Sequence, residues 1–204
     1  VITIYSYIDQ SYEGAGFNHT DQRDGELIRC TFIKCSFEGT ILQEINTVGC
    51  RFIECNFKGA SFNASTHTET AFLNCSFYGA NLFVAAFTEC KMTGSDFSLA
   101  QMDGITICRG DWSYTNLRNV NLAKQDLRGV RFHEADLSGC SMERADLREA
   151  DLTRTQLGKV KLQGADLRGA VLEGVDMKAV NVKGVRMDAV QAVAFLRSFG
   201  AKID

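Results

Sequence analysis

Residues 135–154 read Ala135-Asp-Leu-Ser-Gly, Cys140-Ser-Met-Glu-Arg, Ala145-Asp-Leu-Arg-Glu, Ala150-Asp-Leu-Thr-Arg, a unit of five residues repeated four times. Neither standard element has that period: a helix returns to its buried face after about 3.6 residues and a strand after 2. In each unit a small residue stands two positions before a large apolar one, so both point to one side of a short extended segment while the residue between them faces out. The remaining two positions have turn chemistry. The chain is therefore expected to turn a corner every five residues.

The large apolar position, here the centre, falls on every residue number ending in 2 or 7. From Leu27 to Met187 this frame does not slip, and of its 33 centres only Thr47 and His67 are polar. Centres before residue 102 are mostly Phe and those after 117 mostly Leu. An internal repeat overrides the usual inference from length, because stacked coils bury one continuous interior and each is stabilised by its neighbours. The reading is an all-β solenoid over residues 15–187, preceded by a cap or edge segment over 1–14 and followed by a helix and tail over 188–204.

Composition agrees. The 204 residues contain no proline, as a ladder of backbone N–H donors requires. Thirteen of the 18 glycines occupy the last position of a unit, where a positive φ is expected. Seven of the eight cysteines occupy the small inward position. Their spacing therefore comes from the repeat rather than from disulfide or zinc geometry, and they read as small buried hydrophobes with Cys108 as the exposed thiol. No apolar run is long enough to span a membrane, and Val1 to Tyr12 lacks the pattern of a signal peptide. A reducing cytoplasm is the expected compartment.

If four units close one coil, residues 20 apart stack in columns. Thr47 and His67 would then lie one above the other, either as a local bulge that pushes 45–49 and 65–70 outward or as two polar groups satisfied inside by a hydrogen bond. Beyond Met187 the period becomes helical. Asp188 with Gln191 suggests a capping box, and Gly200 a stop. One stripe of this helix is Ala192, Phe195, Leu196 and Phe199; another is Val190, Val193 and Ala194. Apolar on two sides, it needs two surfaces, either its own last coil plus a partner or both on one subunit.

Units such as Ala145-Asp-Leu-Arg-Glu and Cys55-Asn-Phe-Lys-Gly resemble the pentapeptide repeat family, and the end of the chain, from Val180 through Gln191 to Gly200, is similar to that of Qnr and MfpA-type proteins. The resemblance implies a right-handed quadrilateral β-helix of pentapeptide repeats with a short C-terminal capping and dimerisation α-helix. It further implies a homodimer whose contact is carried by Met187, Val190, Val193, Phe195, Leu196 and Phe199. The implied role is that of a DNA-mimicking rod that binds bacterial type II topoisomerase, DNA gyrase and also topoisomerase IV, and protects it from quinolones or other poisons.

Charge bears on that role unevenly. Residues 1–105 carry 12 acids and 6 bases (−6), whereas 106–204 carry 13 acids and 16 bases (+3). The candidate topoisomerase contacts are the outward acids Glu38, Glu44, Glu54, Glu69, Glu89, Asp96 and Asp103, with Thr47 and His67 if they protrude. An interior filled by apolar centres leaves no cleft for a reaction. The three histidines, His19, His67 and His133, show neither triad nor metal spacing. The expectation is a protein that is not an enzyme, takes no cofactor or metal, and contacts neither nucleic acid nor membrane directly. The other reading is a non-catalytic scaffold for an unrelated partner.

Overall fold

The computed structural model describes residues 5–203, apart from the side chain of Ala179. The chain divides into two compact units, Val1–Thr106 and Ile107–Asp204. Both are parallel β-solenoids, and the second ends in a helix.

In the first unit two sides of each coil are true strands. One sheet runs β1 (Ser6–Ile8), β3 (Glu26–Ile28), β5 (Asn46–Val48), β7 (Thr66–Thr68), β9 (Ala86–Thr88). The adjoining sheet runs β2 (Ser11–Glu13), β4 (Thr31–Ile33), β6 (Arg51–Ile53), β8 (Ala71–Leu73). Pairing is parallel with a register of 20 residues, for example Phe32↔Phe52↔Phe72, so four units make one coil. β10 (Thr106–Cys108) follows at the division between the units. Strands begin at Ser6, with Tyr7 pairing with Leu27 and Tyr12 with Phe32, so β1 and β2 within the 1–14 segment are edge strands of the two sheets, and its residues 1–4 lie outside the described residues. Tyr7 and Tyr12 satisfy the five-residue frame as centres, which is why they join the stack.

The other two sides are single bridges such as Ser36↔Asn56 and Ile41↔Ser61. There the centre carbonyl accepts from the N–H three residues on, as in Thr40 to Phe37 (3.1 Å) and Ala60 to Phe57 (3.0 Å), with the third residue at positive φ in the type II manner. Every number ending in 4 or 9 from Asp9 to Gly174 is left-handed, whether glycine or not. The coil geometry thus imposes φ even on Glu54 (53°) and Arg154 (53°), against the local preference of an L residue.

The inward face explains the choice of centres. Phe32, Phe52 and Phe72 stack with ring centroids 4.9 and 4.7 Å apart, and Phe37, Phe57 and Phe77 do so at 4.9 and 5.0 Å. These distances equal the strand spacing of a sheet, about 4.8 Å. The two columns meet edge to face, as between Phe52 and Phe57 (5.4 Å, 70°), the geometry that aromatic quadrupoles favour.

The small inward residues have a second task. Cys50 Sγ donates to the Leu27 carbonyl (3.2 Å) and Cys75 Sγ to that of Phe52 (3.4 Å), each 23 residues back; Thr40 and Ser95 hydroxyls do the same toward Phe17 and Phe72 (2.8 and 2.9 Å). Cysteine is accordingly a small hydrophobe that also ties its coil to the preceding one. All eight are free thiols, seven of them buried and Cys108 exposed. Burial pushes the Cys50 and Cys140 thiols up to about 11 and Cys90 to about 12.

In the second unit bridges such as Asp126↔Asp146↔Asp166 continue the same register over a core of Leu127, Leu147 and Leu167. The frame relaxes once, in a 3-10 turn at Met177–Ala179. The final element, α1 (Ala189–Ser198), begins with the expected capping box: Asp188 accepts from the Val190 and Gln191 N–H groups, while Gln191 Oε1 accepts from Asp188 N–H (3.0 Å). It ends in a Schellman arrangement, with Gly200 at φ 88° and the Ala201 N–H on the Leu196 carbonyl.

Candidate docking surfaces

Thr47 and His67 do not protrude. Each is 1% exposed, and they pair in register between β5 and β7. Thr47 Oγ1 is 2.7 Å from His67 Nδ1, Ser65 Oγ is 2.9 Å from Nε2, and Thr47 donates to Thr70 Oγ1 (3.0 Å). The ring stacks on Phe87 at 4.7 Å. Hydroxyls on both ring nitrogens satisfy the imidazole inside, so no bulge forms and neither residue is a surface contact. Desolvation depresses His67 to about 3, so the ring is neutral.

The seven acids lie outside but not on one face. Glu69 and Glu89 follow each other along one corner row, the Glu69 N–H bonding the Thr88 carbonyl (2.9 Å). Glu44 and Glu54 occupy two other corners, both at positive φ; Glu38 and Asp103 are turn residues just before the corner glycines Gly39 and Gly104, and Asp96 stands on a side. Two are engaged by lysine: Glu38 with Lys58 (3.6 Å) and Glu54 with Lys34 (3.8 Å). Among the described residues Glu44, Glu69 and Asp103 form no ion pair.

The second unit pairs much of its charge within itself. Arg128, Arg148 and Arg168 each clamp the aspartate two residues before them; Arg128 Nε and Nη2 reach Asp126 at 2.8 and 2.6 Å. Next rungs are also linked, Arg128 to Asp146 at 3.8 Å and Arg186 to Asp166 at 3.6 Å. The guanidinium partners hold Asp126 and Asp166 at about 2. Such exposed pairs are screened and individually weak, but together they offset much of the charge of that surface.

On α1, Gln191 is buried and donates to the Ala170 carbonyl (3.0 Å), which orients the helix on the coils. Phe195, Val193 and Met187 are half-buried, whereas Val190 (79%), Leu196 (48%) and Phe199 (56%) are exposed. Spaced by three, Val190, Val193, Leu196 and Phe199 make one outward ridge. The helix therefore does not bury both stripes on its own subunit. Ala189, Val190, Val193, Ala194 and Arg197 line an open hollow of about 390 Å³ on this side.

Missed in the sequence were outward apolar residues of the first unit: Tyr78, Phe83, Val84 and Leu99 are all exposed. Their signal was available, since large apolar side chains at numbers ending in 3, 4, 8 or 9 violate the in-out frame. Among the described residues no group of three or more His, Cys, Asp or Glu could hold a metal, and no helix is long and apolar enough to cross a membrane.

A parallel solenoid that turns a corner every five residues is the architecture of pentapeptide-repeat proteins. Residues 30–66, 115–154 and 150–188 match the Pentapeptide repeats family in eight copies, and the chain belongs to that family. Among solved structures it is similar to a trypsin-treated variant of QnrB1, described as a plasmid-mediated fluoroquinolone resistance protein, with TM-score 0.84 and 22% identity over 98% of this chain and 99% of that one. Full-length QnrB1 gives 0.77 and 21% over 96% and 100%, and a second trypsin-treated variant 0.75 and 21% over 98% of each. No curated protein sequence is significantly similar to the chain.

Proposed function

We propose that this protein binds a bacterial type II topoisomerase, DNA gyrase and also topoisomerase IV, as a DNA-imitating surface in the cytoplasm, and so protects the enzyme from quinolones or other poisons. The observation that carries this reading is the likeness to QnrB1 along almost the whole of both chains. It acts by occupancy rather than by catalysis, with the acidic first unit meeting the basic surface on which a topoisomerase holds DNA phosphates. The neutral Asp–Arg ladders of the second unit contribute less to such binding.

The test is supercoiling by purified gyrase, with and without a fluoroquinolone, across a titration of the protein. Rescue of drug-inhibited supercoiling is expected. Inhibition without rescue would mean competition with DNA but no protection, and no effect in either arm would favour the scaffold reading, for which the internally paired second unit speaks.

The outward ridge of α1 makes the protein a dimer. Sedimentation is expected to give a dimer for the intact chain and a monomer for Leu196→Asp with Phe199→Asp, since each aspartate would strand a charge in an apolar contact. A dimer that survives both substitutions removes the helix from the interface.

A further inference from the structure

Among the described residues, left-handed corners are held by glycine, by polar or charged residues, or by Ala64, with three exceptions: Val84, Leu99 and Tyr114. Two of these belong to the first unit, 15 residues apart, on neighbouring corners of successive coils. Val84 (φ 52°) is β-branched, the class for which positive φ is least tolerable, and Leu99 (φ 58°) is 74% exposed. Each therefore carries two unfavourable features, a strained backbone and apolar surface left in water, at corners where glycine would relieve both. Strain of this kind that a fold retains points to use rather than to packing.

Two further side chains extend the patch. Tyr78 and Phe83 occupy the outward positions after the centres Phe77 and Leu82 and are 43% and 50% exposed. Backbone bonds draw the set together: the Gly79 N–H donates to the Ser98 carbonyl (3.0 Å) and the Val84 N–H to that of Asp103 (2.9 Å), so Leu99 and Asp103 lie on the coil next to Tyr78, Phe83 and Val84. Asp103 is exposed, and Asp96 is held at the side by the Ser98 N–H and hydroxyl (3.0 and 2.6 Å). The base next to the patch, Lys58 in the row of Tyr78 one coil earlier, is paired with Glu38 (3.6 Å).

An apolar patch edged by carboxylates, in a unit of charge −6, is complementary to a protein surface whose apolar side chains are ringed by bases. Resting on the topoisomerase reading, we infer that Tyr78, Phe83, Val84 and Leu99 anchor the protein on the DNA-binding surface of that enzyme. A duplex offers only phosphates to such a surface. The patch adds contact that salt does not screen, and so separates this protein from DNA as a ligand.

The experiment compares binding of purified gyrase to the intact protein and to the variant Tyr78→Ser, Phe83→Ser, Val84→Gly, Leu99→Gly, at low and at high salt. Glycine suits both corners, so Val84→Gly with Leu99→Gly alone should melt no lower than the parent, which separates lost contact from lost fold. Expected is a loss of about tenfold or more for the full variant at both salts, with the dependence on salt kept, because the ionic contacts are unchanged. A variant that binds like the parent at both salts overturns the anchor while leaving the topoisomerase reading intact. A parent that binds gyrase at neither salt overturns that reading and the anchor with it.

Discussion

Phe72→Ala is expected to lower the free energy of unfolding by about 4 kcal/mol, the central cost of emptying a fully buried aromatic site. Phe72 is 0% exposed and touches five other rings: stacked on Phe52 at 4.7 Å, and edge to face with Phe57, His67, Phe77 and Phe87 at 5.9, 5.3, 5.5 and 6.3 Å. Neighbouring coils stabilise one another, so the defect should open the stack there first. The loss would consume a large share of the roughly 5–15 kcal/mol typical of a domain. Phe72→Leu, which keeps most of the volume, should cost under about 1.5 kcal/mol. Phe83→Ala, outward-facing at the turn two sides further on, should change stability by less than about 0.5 kcal/mol. Urea unfolding of the three variants is the measurement, and a Phe72→Ala loss no greater than that of Phe83→Ala would refute the stacked-ladder account.

Acid should weaken the first unit through His67. Its ordinary value, near 6.5, applies in the unfolded chain, while burial in the fold lowers it to about 3. A histidine whose folded value is depressed binds its proton preferentially when unfolded, so its contribution is complete above about pH 6.5 and is lost as pH falls toward 3. The slope approaches 1.36 kcal/mol per pH unit, which makes roughly 3 kcal/mol by pH 4.5. Facing the ring are the hydroxyls of Thr47 and Ser65 and the rings of Phe62, Phe72 and Phe87; no carboxylate is there to hold the imidazolium. Asp9, Asp21, Asp126, Asp146 and Asp166 lie below the usual carboxylate range because of their arginines, so their losses fall at lower pH. The combined variant Thr47→Leu with His67→Phe, which continues the column of Leu27 and Phe87, should flatten stability between pH 6.5 and 4.5. Equal acid slopes for parent and variant would show that His67 is not the group responsible.

The five-residue frame was legible because each unit names its own buried residue: one centre, one small partner, one turn. What lay 20 or 23 residues away was harder. Thr47 and His67 were visible as a vertical pair, yet whether they pointed in depended on Thr70, whose hydroxyl meets Thr47 only once the coils are stacked, as well as on Ser65 two residues before His67. The capping box and glycine stop of α1 are local signals and were read directly, whereas the side that stays exposed depends on Gln191 finding the Ala170 carbonyl. Acids were legible one at a time but not as rows, since rows require the coil length, which puts Glu69 beside Glu89 and disperses the others. Val84 and Leu99 were passed over because attention to what a solenoid buries overlooks what it displays.

The corner at every fifth residue also sets the step by which such a chain can change its length. Within a unit, gaining or losing one pentapeptide keeps every downstream centre inside but turns each later side by one quarter, so all following surface rows exchange places. A gain of four pentapeptides restores each row to its own column, one storey higher, because pairing runs at 20 residues. An increment that is not a multiple of five residues moves centres into water. Growth in whole storeys preserves the pattern displayed on each side, and growth in quarter turns shuffles it without disturbing the core.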